Sequence, residues 1–216
     1  MQHFLSTADW TAGQLDELLQ LAAELKQSPI QTNLRGKSIA LMFLNPSLRT
    51  RTSFELGMQQ LGGIAIVLQP GKDAWGVEFE PGAIMDGAAE EHIAEVAGVL
   101  SRYCDLIALR AFPKFEDWSR DREDAVIRSL AKHASVPVIN MESARRHPCQ
   151  GLADALTLEE SCGERPRGRR FVLRLVLEDP REDQLVGADV GHRSTSGRPR
   201  PPGRGRPVSF IGRIRR

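Results

Sequence analysis

The segment NPSLRTRTSFELG, Asn45 to Gly57, sets Arg49 and Arg51 two positions apart among the hydroxyls of Ser47, Thr50, Thr52 and Ser53. Guanidinium forks pair with anionic oxygens in a bidentate way, and hydroxyls both donate and accept, so this composition suits a phosphate group. A plainer reading is available, in which Ser and Thr cap a helix and the arginines are solvated. Two further segments weigh against it. Arg110 directly follows the apolar run 104–109, and HPCQ, His147 to Gln150, opens a later helical stretch. Alone, HPCQ is a helix start with proline in the first position. Together the three segments bring arginines, hydroxyls, a histidine and an amide to successive element ends.

The elements that must position these groups follow from periodicity. Apolar residues at Leu15, Leu18, Leu19, Ala22 and Leu25 mark one face of a helix over 11–27. SIALMFL, Ser38 to Leu44, reads as a buried strand, and helical spacing resumes over 52–61. Ile64 to Leu68 reads as a second buried strand, with a helix over 90–100 and a third strand over 104–109. A helix over 121–133, a fourth strand over 136–140 and a further helix from Leu152 complete the pattern. Strand and helix alternate, which predicts an α/β fold: a mostly parallel sheet with helices on both faces, followed by an irregular tail. In such sheets ligands bind beyond the carboxyl ends of the strands, where the arginine and histidine motifs fall.

The chain has 216 residues and a formal net charge of +1, which favours neither a nucleic-acid coat nor an acidic tail. The charge is unevenly placed. All five lysines precede residue 133, whereas the 53 positions from Glu164 hold 14 arginines and no lysine. The stretch GHRSTSGRPRPPGRGRP has no apolar period and too little apolar surface to offset ordering. Arginine-rich tails can bind RNA, but Phe210 is the only aromatic residue after Phe171, so no nucleic-acid partner is expected. Cys104, Cys149 and Cys162 form no CxxC pair, and no secretory leader or long apolar span is read, so a reduced, cytoplasmic protein without membrane attachment is expected.

With these residues in place, the chain resembles the aspartate/ornithine carbamoyltransferases. The resemblance is carried by Ser47-Leu48-Arg49-Thr50-Arg51 with Thr52-Ser53-Phe54-Glu55, then Arg110, then His147-Pro148-Cys149-Gln150. LQPGKDAW, the EEHIAEVA segment and PVINMES are similar to the branch acting on N-acylated ornithine. The resemblance implies a carbamoyl-phosphate-binding domain over 1–163, and over 164–216 a remnant of the entry to a second domain followed by the arginine-rich tail. It implies that Ser47, Leu48, Arg49, Thr50, Arg110, His147 and Gln150 hold carbamoyl phosphate, with Trp75 reaching in from a neighbouring subunit of a homotrimer. Arg49, Arg110 and His147 would be catalytic, and Glu90 and Glu142 would meet the amino-acid substrate.

The implied reaction moves the carbamoyl group to the side-chain amine of N-acetyl-L-ornithine, giving N-acetyl-L-citrulline in arginine biosynthesis. It implies neither a metal nor an organic cofactor, and makes Cys149 a filler rather than a nucleophile. Glu90 stands where succinyl-using relatives have proline, which favours acetyl. The family's H-C-L-P-like motif is missing after residue 163, and the likeness fades near Leu173 and Arg174. The composition beyond resembles GC-rich DNA translated in a wrong frame, so impaired activity is expected. A noncatalytic carbamoyl-phosphate-binding fragment, or an enzyme for ornithine or N-succinylornithine, stays open.

Overall fold

A computed structural model describes residues 2–80, 82–113, 115 and 118–162. The elements in order are a 3-10 turn Thr7–Asp9, α1 Ala12–Gln27, β1 Ser38–Phe43, α2 Leu48–Gln60, β2 Ile64–Leu68, β3 Val77–Glu78 and β4 Glu91–His92. They continue with α3 Ile93–Tyr103, β5 Leu106–Arg110, α4 Trp118–Glu123, α5 Ala125–His133, β6 Val138–Glu142 and α6 Pro148–Cys162. The sequence-based expectations for 164–216 lie outside the described residues.

Four strands form one parallel sheet in the order β2-β1-β5-β6. Alternation along β1 sends Ile39, Leu41 and Phe43 to one face, where they pack with Met58 of α2, Ala108 and Met141. Ala40 and Met42 point the other way and join Ile107, Leu109 and Val138 beneath Ile93, Val96 and Ala97 of α3 and Ile127 and Leu130 of α5. Helices therefore cover both faces, as the alternating pattern requires. Ile39, Leu41, Ile107, Leu109 and Val138 are at most 1% exposed, and each such side chain contributes about 1.5–3 kcal/mol of burial.

Several elements differ from the sequence reading. β2 is not a buried strand: it lies at the sheet edge, with Ile64 61% and Ile66 44% exposed. Its apolar run covers only one face, where Ala65 and Val67 pack near α2. α2 starts four residues earlier than the expected 52–61, because Ser47 caps it and the first turn needs no apolar residue; Leu48 is 83% exposed. The third and fourth strands extend to Arg110 and Glu142, beyond 104–109 and 136–140. Cys104 ends α3 instead, donating its N–H to Leu100 O.

α3 begins at Ile93, later than the expected 90–100, because Glu91 and His92 pair in parallel with Val77 and Glu78. The expected helix over 121–133 is broken at Asp124, which adopts a left-handed conformation (φ 54°) between α4 and α5. α6 begins at Pro148, before the expected Leu152 and in keeping with the HPCQ reading. Between α2 and β2, Gly62 takes φ +81°, a left-handed exit that a side chain would strain.

Candidate active site

The crevice for a ligand follows from the strand order. After β1 the chain crosses through α2 to β2 on one side, and after β5 it crosses through α5 to β6 on the other. The two crossovers lie on opposite faces, so the carboxyl ends of β1 and β5 form the switch point at which α/β sheets bind ligands. Phe43 of β1, Arg110 of β5 and Glu142 of β6 stand in register across that edge. The side chain of Asn45 ties the two loops together, its Oδ1 accepting the Phe112 N–H (2.7 Å).

One wall of the crevice is the N-terminus of α2. The Ser47 side chain accepts the Thr50 N–H (3.2 Å), which leaves its hydroxyl proton free to donate. First-turn N–H groups lack helical partners and lie at the positive end of the dipole. No acidic residue sits in that turn to neutralise it. Arg49 in the same turn is exposed.

The other wall is an ionic cluster. Arg110 is 8% exposed, and its Nη1 donates to Thr50 Oγ1 (3.4 Å) and to the Glu142 carboxylate. The guanidinium lies 4.4 Å from the centroid of the Phe112 ring, a cation–π contact. Among the described residues its buried Nε has no hydrogen-bond partner. Glu142 also faces His147, 3.4 Å from Nε2.

His147 caps α6. Its Nδ1 accepts the Gln150 N–H (3.4 Å), which assigns the ring proton of the neutral imidazole to Nε2, on the side of Glu142 and Arg110. Burial lowers its pKa below the ordinary 6.5, and Arg110 adds to this, while Glu142 and Asp154 oppose. A neutral imidazole that donates through Nε2 follows. Burial pushes the Cys149 thiol up to about 11, and its S–H donates to Asn140 O (3.7 Å), so it is not a thiolate nucleophile.

Thr50, Arg110, Glu142 and His147 are thus joined by contacts, with Ser47 one cap bond away. The Gln150 amide is turned onto Asp154 Oδ1 (2.8 Å). Trp75 and Glu90 are not joined to this cluster by those contacts: Trp75 is 65% exposed, and a side chain placed at the adjacent Gly76 would meet the Glu90 carboxylate. The sequence reading assigns no role to Asn45, although it opens the NPSLRTRTSFELG segment, and none to Phe112; both brace the crevice. Among the described residues no group of three or more His, Cys, Asp or Glu is placed to hold a metal ion. No described helix is long and apolar enough to cross a membrane.

A family model, "Aspartate/ornithine carbamoyltransferase, carbamoyl-P binding domain", matches residues 2–160. The chain belongs to this carbamoyltransferase family. The N-acetylornithine carbamoyltransferase of Xanthomonas axonopodis pv. citri (strain 306) is 62% identical over 174 residues, 80% of this chain and 50% of that one. The N-succinylornithine carbamoyltransferase of Bacteroides fragilis (strain 638R) is 42% identical over 126 residues, 58% of this chain and 40% of that carbamoyltransferase.

Among solved structures, acetylornithine transcarbamylase complexed with acetylcitrulline superposes with a TM-score of 0.76 at 62% identity, over 78% of this chain and 51% of the other. A glutamate-to-serine variant of N-acetyl-L-ornithine transcarbamylase, complexed with carbamyl phosphate and N-succinyl-L-norvaline, gives 0.74 at 62% identity over 76% and 49%. The chain spans about half the length of these carbamoyltransferases.

Proposed function

We propose that residues 1–163 bind carbamoyl phosphate, and that the activity they serve is carbamoyl transfer to the side-chain amine of N-acetyl-L-ornithine. The observation that carries this reading is the convergence of the α2 N-terminus with Thr50, Arg110 and His147 at one switch point. The phosphate would sit on the first-turn N–H groups with Ser47, Arg49 and Thr50. Thr50, Arg110 and His147 would then face the carbamoyl carbonyl oxygen, and Gln150 the carbamoyl nitrogen.

In the proposed step the amine lone pair attacks the carbamoyl carbon and negative charge builds on the carbonyl oxygen. Donors already aimed at that oxygen are worth about 3 kcal/mol each. The C–O bond to phosphate then breaks, phosphate leaves with the bonding pair, and the proton of the attacking amine passes to the departing phosphate. No covalent enzyme intermediate is needed, so catalysis is placement of two substrates plus charge stabilisation. Glu90 and Glu142 would meet the acylated amino acid, and Trp75 would act on the site of a neighbouring copy in a cytoplasmic homotrimer. Closing a second domain over the amine is assigned to a carbamoyltransferase of the relatives' full length.

Calorimetry with carbamoyl phosphate and a colorimetric citrulline assay test the reading. The 216-residue chain is expected to bind carbamoyl phosphate and to form N-acetylcitrulline slowly. Binding that survives both Arg49→Ala and Arg110→Ala would remove the site; turnover at the rate of a full-length relative would remove the division of labour. N-Succinylornithine and ornithine as co-substrates test the acyl preference.

A further inference from the structure

The loop between β6 and α6 fixes the backbone of His147 from both sides. Upstream, the Ser143 N–H donates to Arg146 O (2.8 Å), the Arg146 N–H donates to Ser143 Oγ (3.2 Å), and the Ser143 hydroxyl donates to Arg146 O (3.3 Å). These bonds close 143–146 into one turn that ends on the peptide joining Arg146 to His147. Downstream, Cys149 S–H donates to Asn140 O (3.7 Å).

Asn140 links the two. It is fully buried, and its amide donates to Ser143 Oγ (2.9 Å) and to Leu5 O (2.9 Å), while its backbone N–H donates to Phe4 O (2.9 Å). A buried amide costs free energy unless it is bonded, and pinning the N-terminal segment would use only one of its donors. The other is spent on the turn that carries His147.

We propose that Asn140 and Ser143 are positioning residues that hold the His147 imidazole with Nδ1 on the Gln150 N–H and Nε2 toward Arg110. Neither touches the ligand. Without the Ser143 hydroxyl the turn keeps one backbone bond of its three, and the ring is free to leave its cap. The loop stays anchored elsewhere, because the Arg145 N–H donates to Asp124 Oδ1 (3.0 Å), so Ser143→Ala is expected to fold. The consequence for ligand rests on the carbamoyl-phosphate reading; the consequence for the imidazole does not.

The test uses the 216-residue chain, Ser143→Ala, Ser143→Thr and Asn140→Ala, with the His147 ring signals assigned by their loss in His147→Gln. Long-range nitrogen NMR is expected to show the Nε2–H tautomer in the parent chain and a mixture in Ser143→Ala, restored in Ser143→Thr. By calorimetry, Ser143→Ala should weaken carbamoyl phosphate about tenfold, one hydrogen bond's worth, and inorganic phosphate by less than about twofold. A parent-like ring spectrum in Ser143→Ala overturns the proposal, as does equal weakening of both ligands. If Asn140→Ala does not fold, Ser143→Ala decides. If the parent chain binds neither ligand, the carbamoyl-phosphate reading fails while the ring spectra still judge the positioning.

Discussion

Arg110→Met gives the sharpest account of how the site and the fold are coupled. The Arg110 side chain is 10% exposed and that of Glu142 19%, so the change strands a carboxylate in a mostly dry pocket. Removing one partner of a buried pair costs about 3 kcal/mol, toward the lower limit here because Glu142 keeps some water. At roughly 2–4 °C per kcal/mol for a domain of this size, Tm should fall by roughly 6–12 °C.

The double change Arg110→Met/Glu142→Leu removes both charges and should return to within about 1 kcal/mol of the parent chain. The deficit of the single variant also carries a pH signature. Arg110 lowers the pKa of His147 and Glu142 raises it, so losing Arg110 lets His147 protonate at higher pH and pair with Glu142. The native variant then binds more protons than the native parent, and acidification narrows the gap between them. Urea unfolding at pH 8 and pH 5.5, followed by far-UV circular dichroism, measures both effects. A single variant as stable as the parent at pH 8, or a gap that widens in acid, would refute the coupling.

Other expectations follow from the same contacts. His147 has a lowered folded-state pKa, so the unfolded chain takes up its proton first. Stability should fall as pH drops below about 6.5, less steeply in His147→Gln; parallel urea midpoints would contradict this. Cys149, with its thiol near 11, should resist iodoacetamide at pH 8 in the folded chain and react in urea, as peptide mass mapping can show. Ser47→Ala should cost about 1 kcal/mol of stability through the lost cap and also weaken inorganic phosphate binding, a pairing that chemical denaturation and calorimetry separate.

Much of this architecture was legible because β1 and β5 are apolar runs bounded by helical periods, and a central strand between two helix layers admits little else. β2 shows the limit of that signal: Ile64 and Ile66 look as buried as Ile39, yet stand at an edge that composition does not reveal. The start of α2 was missed for a related reason. Its first turn, Leu48 to Arg51, faces the crevice and solvent rather than the core, so no apolar period marks it. Arg110 and His147 stood out as residue types at element ends. Their neighbours Phe112, Asn140 and Ser143 did not, because their work depends on pairings across 67 to 135 residues or on one turn's geometry.

On the proposed reading, the groups that one chain contributes to the phosphate side of the site all lie within residues 2–160. Apart from Trp75, which would come from a neighbouring copy, every described group proposed to face the phosphate or the carbonyl oxygen sits on β1–α2, on β5 or on β6–α6. Register fixes these positions relative to one another, since Phe43, Arg110 and Glu142 share one ladder row. A cluster set by the core of a single sheet needs no second domain to form. The glutamate in that row has a double consequence: before ligand arrives, Glu142 satisfies Arg110, and an anion entering the crevice must compete with it. Glu142→Gln should therefore bind inorganic phosphate more tightly than the parent chain, whereas Arg110→Ala, which removes the cation, should bind it more weakly. Calorimetry at low and high salt decides the point: a gain that disappears as salt screens charge supports the competition, and a loss of affinity at low salt rules it out.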